Sequence, residues 1–154
     1  MKYILASIFS FILLSASAQQ MASLKDLQKI MDEPGRIKVI NFWATWCGPC
    51  IKELPYFDEI HRKNKNVSIL LVSMDYDLDP NPEKVKRFIA RKKILSPVVI
   101  LTEENPSGWI DKIDKNWSGA LPATIIIGAS GKRKLIQGEL KKDELEKYIN
   151  EASQ

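Results

Sequence analysis

The chain has 154 residues, a formal net charge of +4 at pH 7, 45% hydrophobic residues and only two cysteines. That length suits one domain and leaves no comfortable room for two unrelated ones. Basic and acidic residues alternate in sign along the chain, and no basic patch is interleaved with aromatics, so the charge reads as a solvated surface and nucleic acid is a poor partner.

The first residues differ from the rest. Lys2 gives a positive start, Ile4 to Leu14 is apolar apart from Ser7 and Ser10, and Ala16-Ser17-Ala18 puts small residues where a signal peptidase cuts. Residues 1–18 are therefore expected to be a secretory signal peptide, with 19–154 as the domain. A helix crossing a bilayer needs about 20 apolar residues, so an uncleaved membrane anchor is the second reading. Either way the expected location is the periplasm or another exported site, where disulfides are permitted.

Ser23 is placed to cap a helix through Ile30, with Leu24, Leu27 and Ile30 at helical spacing, and Pro34-Gly35 ends it. Residues 37–43 are β-rich and almost continuously apolar, as in a central strand covered on both faces. Ala44 to Pro49 turns the chain into a helix reaching about Lys63. Its apolar side is Ile51, Leu54, Phe57 and Ile60 or His61; Lys52, Glu53, Asp58, Glu59 and Arg62 are assigned to water, and Pro55 is expected to interrupt and kink it. Val67 to Met74 forms the next buried strand, followed by a polar loop, Asp75 to Asn81. Asn81-Pro82-Glu83 opens a third helix, with Val85, Phe88 and Ile89 as its stripe and its end near Lys93.

Val98 to Leu101 is a short apolar run with no assigned role, and Asn105-Pro106 repeats the cap-and-proline pattern for a short helix containing Trp109, Ile110 and Ile113. After a loop to Pro122, residues 123–127 form a strand that Ala129-Ser130-Gly131 turns back into an antiparallel partner, Lys132 to Gln137. Lys141 to Ala152 closes the chain as a helix burying Leu145, Tyr148 and Ile149. The order αβαβα, a variable segment, then ββα is most simply packed with helices on both faces of a mixed sheet.

The two cysteines stand in Trp46-Cys47-Gly48-Pro49-Cys50. A disulfide between them closes too short a loop to add much stability, so the pair reads as chemical. Cys47 lies where a strand hands over to a helix, and unpaired N–H groups there favour a negative sulfur over an ordinary thiol, with its pKa of about 8.5. Cys47 is the expected attacking sulfur and Cys50, one turn further in, the resolving one. A zinc site, an inert bridge and a peroxide reductase remain as competitors. Zinc lacks four evident ligands, with only His61 beyond the carboxylates; a peroxide reductase lacks its usual Thr or Arg.

The stretch Asn41-Phe42-Trp43-Ala44-Thr45-Trp46-Cys47-Gly48-Pro49-Cys50-Ile51-Lys52-Glu53-Leu54-Pro55 resembles the active-site segment of the thioredoxin superfamily, nearest to its exported TlpA/ResA-like thiol-disulfide oxidoreductases. Trp117 to Thr124 resembles the second signature of that family. The resemblance implies an α/β, thioredoxin-like three-layer sandwich. It further implies that Cys47 is the exposed nucleophile and Cys50 its buried partner. Pro122 matches a cis-proline beside the disulfide. Trp46, Gly48, Pro49 and Leu121 would meet the substrate, with the Leu121 backbone pairing to an extended peptide, while Trp43 is either a flanking aromatic or plain core.

Two departures bear on proton transfer. Asn41 stands where many cytoplasmic thioredoxins have a buried Asp, and an amide cannot take a proton as a carboxylate does. Asp75 and Asp77 are candidates for that role, against a reading as solvated loop residues; Glu53 is assigned to the surface, and His61 lies too far along the helix.

By resemblance the partners are exported cysteine-containing proteins, including apocytochrome c, and an upstream membrane thiol reductant. No cofactor and no metal are implied. Gly48-Pro49 matches reducing thioredoxins, near -270 mV against about -120 mV for a strong oxidant. A binding module without turnover and a dedicated oxidant are the alternatives.

Overall fold

The computed structural model describes residues 20–154; the expected signal peptide lies outside them. Six strands form one mixed sheet in the order β1-β4-β3-β2-β5-β6. These are β1 Gln20–Ala22, β2 Ile37–Trp43, β3 Val67–Ser73, β4 Val98–Leu101, β5 Ala123–Ile127 and β6 Arg133–Gln137. From β1 to β2 the neighbours run parallel, while β5 is antiparallel to both β2 and β6.

Alternation along β2 explains the layers. Val39, Asn41 and Trp43 point to one face, and Ile40 and Phe42 to the other. The first face is covered by three helices: α2 (Gly48–Lys63), α3 (Pro82–Lys92) and α4 (Lys142–Ala152), through Leu54, Phe57, Ile60, Val85, Phe88, Ile89, Leu145 and Ile149. The second face is covered by α1 (Leu24–Asp32) and the segment carrying Trp109, Ile113 and Trp117. This is the expected three-layer sandwich. None of the described helices is long and apolar enough to cross a membrane.

Four local expectations change. β1 has no counterpart in the sequence reading, because three residues are too few to show a period; it pairs with Val98–Leu101, which gives that run its role as β4. Pro55 lies inside α2 without ending it, since the helix is continuous from Gly48 to Lys63. Asn105-Pro106 opens two successive 3₁₀ turns, Pro106–Gly108 and Ile110–Lys112, instead of an α-helix. Asn105 does not cap: its φ is 53°, and its backbone N–H donates to Asp77 Oδ1 at 2.7 Å.

Candidate functional site: the disulfide at the start of α2

Ser73 is in register with Trp43, and Phe42 with Ala123. Residues just beyond those pairs therefore emerge at one end of the sheet: the 44–47 turn, Met74-Asp75 and Leu121-Pro122. The turn is closed by Cys47 N–H donating to Ala44 O at 3.1 Å.

Cys47 is the N-cap of α2, in extended conformation, and forms a disulfide with Cys50. Its Sγ accepts the Cys50 backbone N–H at 3.3 Å, so one of the orphan donors of the helix start is aimed at this sulfur. Gly48 and Pro49 occupy the first helical positions, where a proline costs no hydrogen bond. Cys47 is 6% exposed and Cys50 0%. The expected order of access holds, although Cys47 is more covered than the word exposed suggests. Trp46 is 54% exposed beside it. Trp43 is core: it is fully buried, with its ring 5.5 Å from that of Phe88. The Leu121–Pro122 peptide is cis, Pro122 is buried, and Leu121 is half-buried.

Glu53 is the main correction. Assigned to water by its charge, it is 0% exposed. Its Oε1 accepts Asn41 Nδ2–H at 2.7 Å, and its Oε2 accepts the Leu140 backbone N–H at 2.8 Å. Burial pushes its carboxyl up to about 7; the two donated hydrogen bonds oppose the rise, and the charge of Glu139 adds to it. The physical reason is position. Glu53 follows Cys50 by one turn and shares the buried stripe Cys50, Leu54, Phe57 and Ile60, where the Leu140 segment covers it. That spacing was readable, since a residue three after a buried cysteine lies on the same face.

The two loop aspartates separate. Asp75 is 2% exposed, which overturns its reading as a solvated loop residue. Its carboxylate accepts the Thr45 N–H at 3.0 Å, the Thr45 hydroxyl, and the Ser73 hydroxyl at 2.9 Å. It fastens the end of β3 to the turn that leads into Cys47. Asp77 is half-buried and holds the Asn105 N–H. Glu53 is the buried carboxylate on the face of α2 that carries Cys50.

The chain is similar to several thiol-disulfide oxidoreductases and thioredoxin-related proteins. It is 35% identical over 124 residues to thiol-disulfide oxidoreductase ResA of Bacillus cereus (strain ZK / E33L), covering 79% of this chain and 66% of that protein. It is 33% identical over 126 residues to ResA of Oceanobacillus iheyensis, covering 80% and 60%. It thus spans somewhat under two thirds of the length of these relatives. A thioredoxin-related protein from Neisseria meningitidis serogroup B superposes with a TM-score of 0.67 at 25% identity, covering 80% of this chain and 89% of that one. StoA from Bacillus subtilis superposes with a TM-score of 0.61 at 22% identity, covering 77% and 85%, a likeness of fold. The Redoxin family profile matches residues 13–151. A thioredoxin-like sandwich with a cysteine pair at the start of its second helix, matched over that span, makes this chain a member of the Redoxin family.

Proposed function

We propose that the chain is a thiol-disulfide oxidoreductase that exchanges the Cys47–Cys50 dithiol and disulfide with exported proteins, working in the reducing direction. The observation that carries this reading is the asymmetric pair: one sulfur caps a helix and receives an N–H, while the other is wholly enclosed one turn further in. An upstream thiol reductant supplies two electrons and opens the disulfide. The Cys47 thiolate then attacks a substrate S–S bond, forming a mixed disulfide and releasing one substrate thiolate. Cys50 gives up its proton, attacks Cys47 Sγ, and releases the second substrate thiolate as the Cys47–Cys50 bond forms again.

Glu53 takes the Cys50 proton in this scheme. It lies one turn along the same buried face, and a carboxyl that titrates near 7 can both accept a proton and return it at neutral pH. Asp75 positions the Thr45-Trp46-Cys47 turn, because its carboxylate is occupied by three donors. Trp46, Gly48, Pro49 and the Leu121-Pro122 segment form the contact surface for substrate.

Residues 1–18 direct export, to the periplasm or cell exterior, with membrane anchoring if they stay attached. The substrates in this reading are exported cysteine proteins, apocytochrome c among them, and the electron donor is a membrane thiol reductant, as the resemblance of residues 41–55 and 117–124 to exported TlpA/ResA-like oxidoreductases implies. The printed name of the relatives, thiol-disulfide oxidoreductase, supports the reaction class.

Insulin reduction in dithiothreitol tests the activity. Wild-type protein is expected to accelerate precipitation well above the Cys47→Ser variant. Equal rates would leave a binding module, and a measured potential near -120 mV rather than below about -200 mV would make the protein an oxidant.

A further inference from the structure

The Asn41 side chain is fully buried on β2, and its two ends are unequally served. Nδ2 directs its two N–H groups to Glu53 Oε1 at 2.7 Å and to Thr124 Oγ1 at 3.1 Å. Oδ1 has no hydrogen-bond partner among the described residues. A buried acceptor left unpaired is an exception in folded proteins and calls for a physical reason.

The neighbours supply one. Ionised Glu53 can only accept, whereas protonated Glu53 has one O–H to donate. Its Oε2 faces the Leu140 N–H, an obligate donor, so a bound proton belongs on Oε1. There it would meet Nδ2, a second donor. Half a turn of the Asn41 amide removes the conflict at Oε1, because Oδ1 then stands where Nδ2 stood, while Nδ2 takes the place where Oδ1 has no partner. Its two lone pairs can accept Glu53 Oε1–H and the Thr124 hydroxyl, which serves equally as acceptor and donor.

We propose that Asn41 is a positioning residue whose amide turns over with the protonation of Glu53, so that the buried carboxyl keeps a partner in both states. This rests on the role of Glu53 as proton acceptor given above. The proton comes from Cys50 Sγ as that sulfur becomes a thiolate, and it leaves to solvent when Glu53 ionises again; the amide itself gains and loses none. An aspartate at position 41 could not do this, since it would set a second carboxylate against the first. The charge that acts on Glu53 is that of Glu139, from the segment between β6 and α4, whose own carboxylate lies 4.0 Å from Lys52 Nζ. Asn41 and Thr124 face it uncharged from the sheet.

NMR on the oxidised, isotope-labelled protein between pH 5 and 9 tests the turnover. The Glu53 Cδ shift and the Asn41 side-chain NH₂ resonances are expected to share one midpoint. NOEs from the Asn41 NH₂ protons to Thr124 should be strong above that midpoint and lost below it. In Asn41→Leu, the Glu53 midpoint is expected to move up, where a purely packing role would leave it in place. Unchanged Asn41–Thr124 NOEs across a titrating Glu53 overturn the inference, even where Glu53→Gln still impairs turnover. A Glu53→Gln protein with wild-type turnover and pH profile overturns the proton-acceptor role itself, and this inference with it.

Discussion

At the residue scale, Glu53 makes its own prediction through linkage. Its carboxyl titrates near 7 in the folded chain and near 4.5 when exposed on unfolding. Between those values the native state holds a proton that the unfolded state has released. Stability from this group is therefore fully present below about 4.5, falls as pH rises towards 7, and is level above it, for a total of roughly 3 kcal/mol. Urea midpoints of the oxidised protein should accordingly drop between pH 5 and 7.5, with a clearly smaller drop in Glu53→Gln; parallel curves would contradict the assignment. Asp75 acts by geometry. Asp75→Ala leaves the Thr45 N–H and two hydroxyls without their acceptor in a covered site, and should cost about 3 kcal/mol in denaturant melts together with slower insulin reduction. The sequence showed Cys47, Cys50 and Pro122 by their motif. It offered Asp75 only as one of two loop candidates for proton transfer and concealed Glu53, because a charged residue is read as solvated until the elements that cover it are known.

At the scale of elements, the helix starts carry most of the local information. Ser23 accepts the Asp26 N–H at 3.2 Å while the Asp26 carboxylate accepts the Ser23 N–H at 3.0 Å, a reciprocal cap that opens α1 at the predicted residue. Ser23→Ala should cost about 1 kcal/mol in thermal or urea unfolding, with activity unchanged, since α1 covers the sheet face opposite the cysteines. Asn81 accepts the Glu83 N–H in the same way, and α3 begins where its sequence says. The identical Asn-Pro pair at 105–106 fails to start an α-helix because Asn105 takes a left-handed conformation and turns its backbone N–H to Asp77. A cap motif states a local preference, and a long-range partner decided between two uses of it.

At the scale of the whole molecule, the periods in the sequence were enough for the layers but not for the edge of the sheet. β2 and β3 are long and apolar and were legible as buried strands, and β5 with β6 as an antiparallel hairpin. β1 exists only through its partner β4, a pairing of residues 20–22 with residues 99–101 that no local window contains. The same limit hid the covering of Glu53 by Leu140, 87 residues away. On the sheet face covered by α2, Phe57 is fully buried in a core cluster that includes residues of β2, β3, α3 and α4. Phe57→Ala should cost about 3–5 kcal/mol and lower the thermal midpoint sharply, where a drop of under 1 kcal/mol would mean that α2 is less firmly seated than described.

The division of labour between the two sulfurs is tested most directly by trapping. Reduced Cys50→Ser and Cys47→Ser proteins are each incubated with a protein disulfide, and covalent adducts are read by mass spectrometry. A stable mixed disulfide on Cys47 in the first, with little or none on Cys50 in the second, is the predicted result. Adducts of equal yield on both sulfurs, or none on Cys47 in a folded protein, would contradict it.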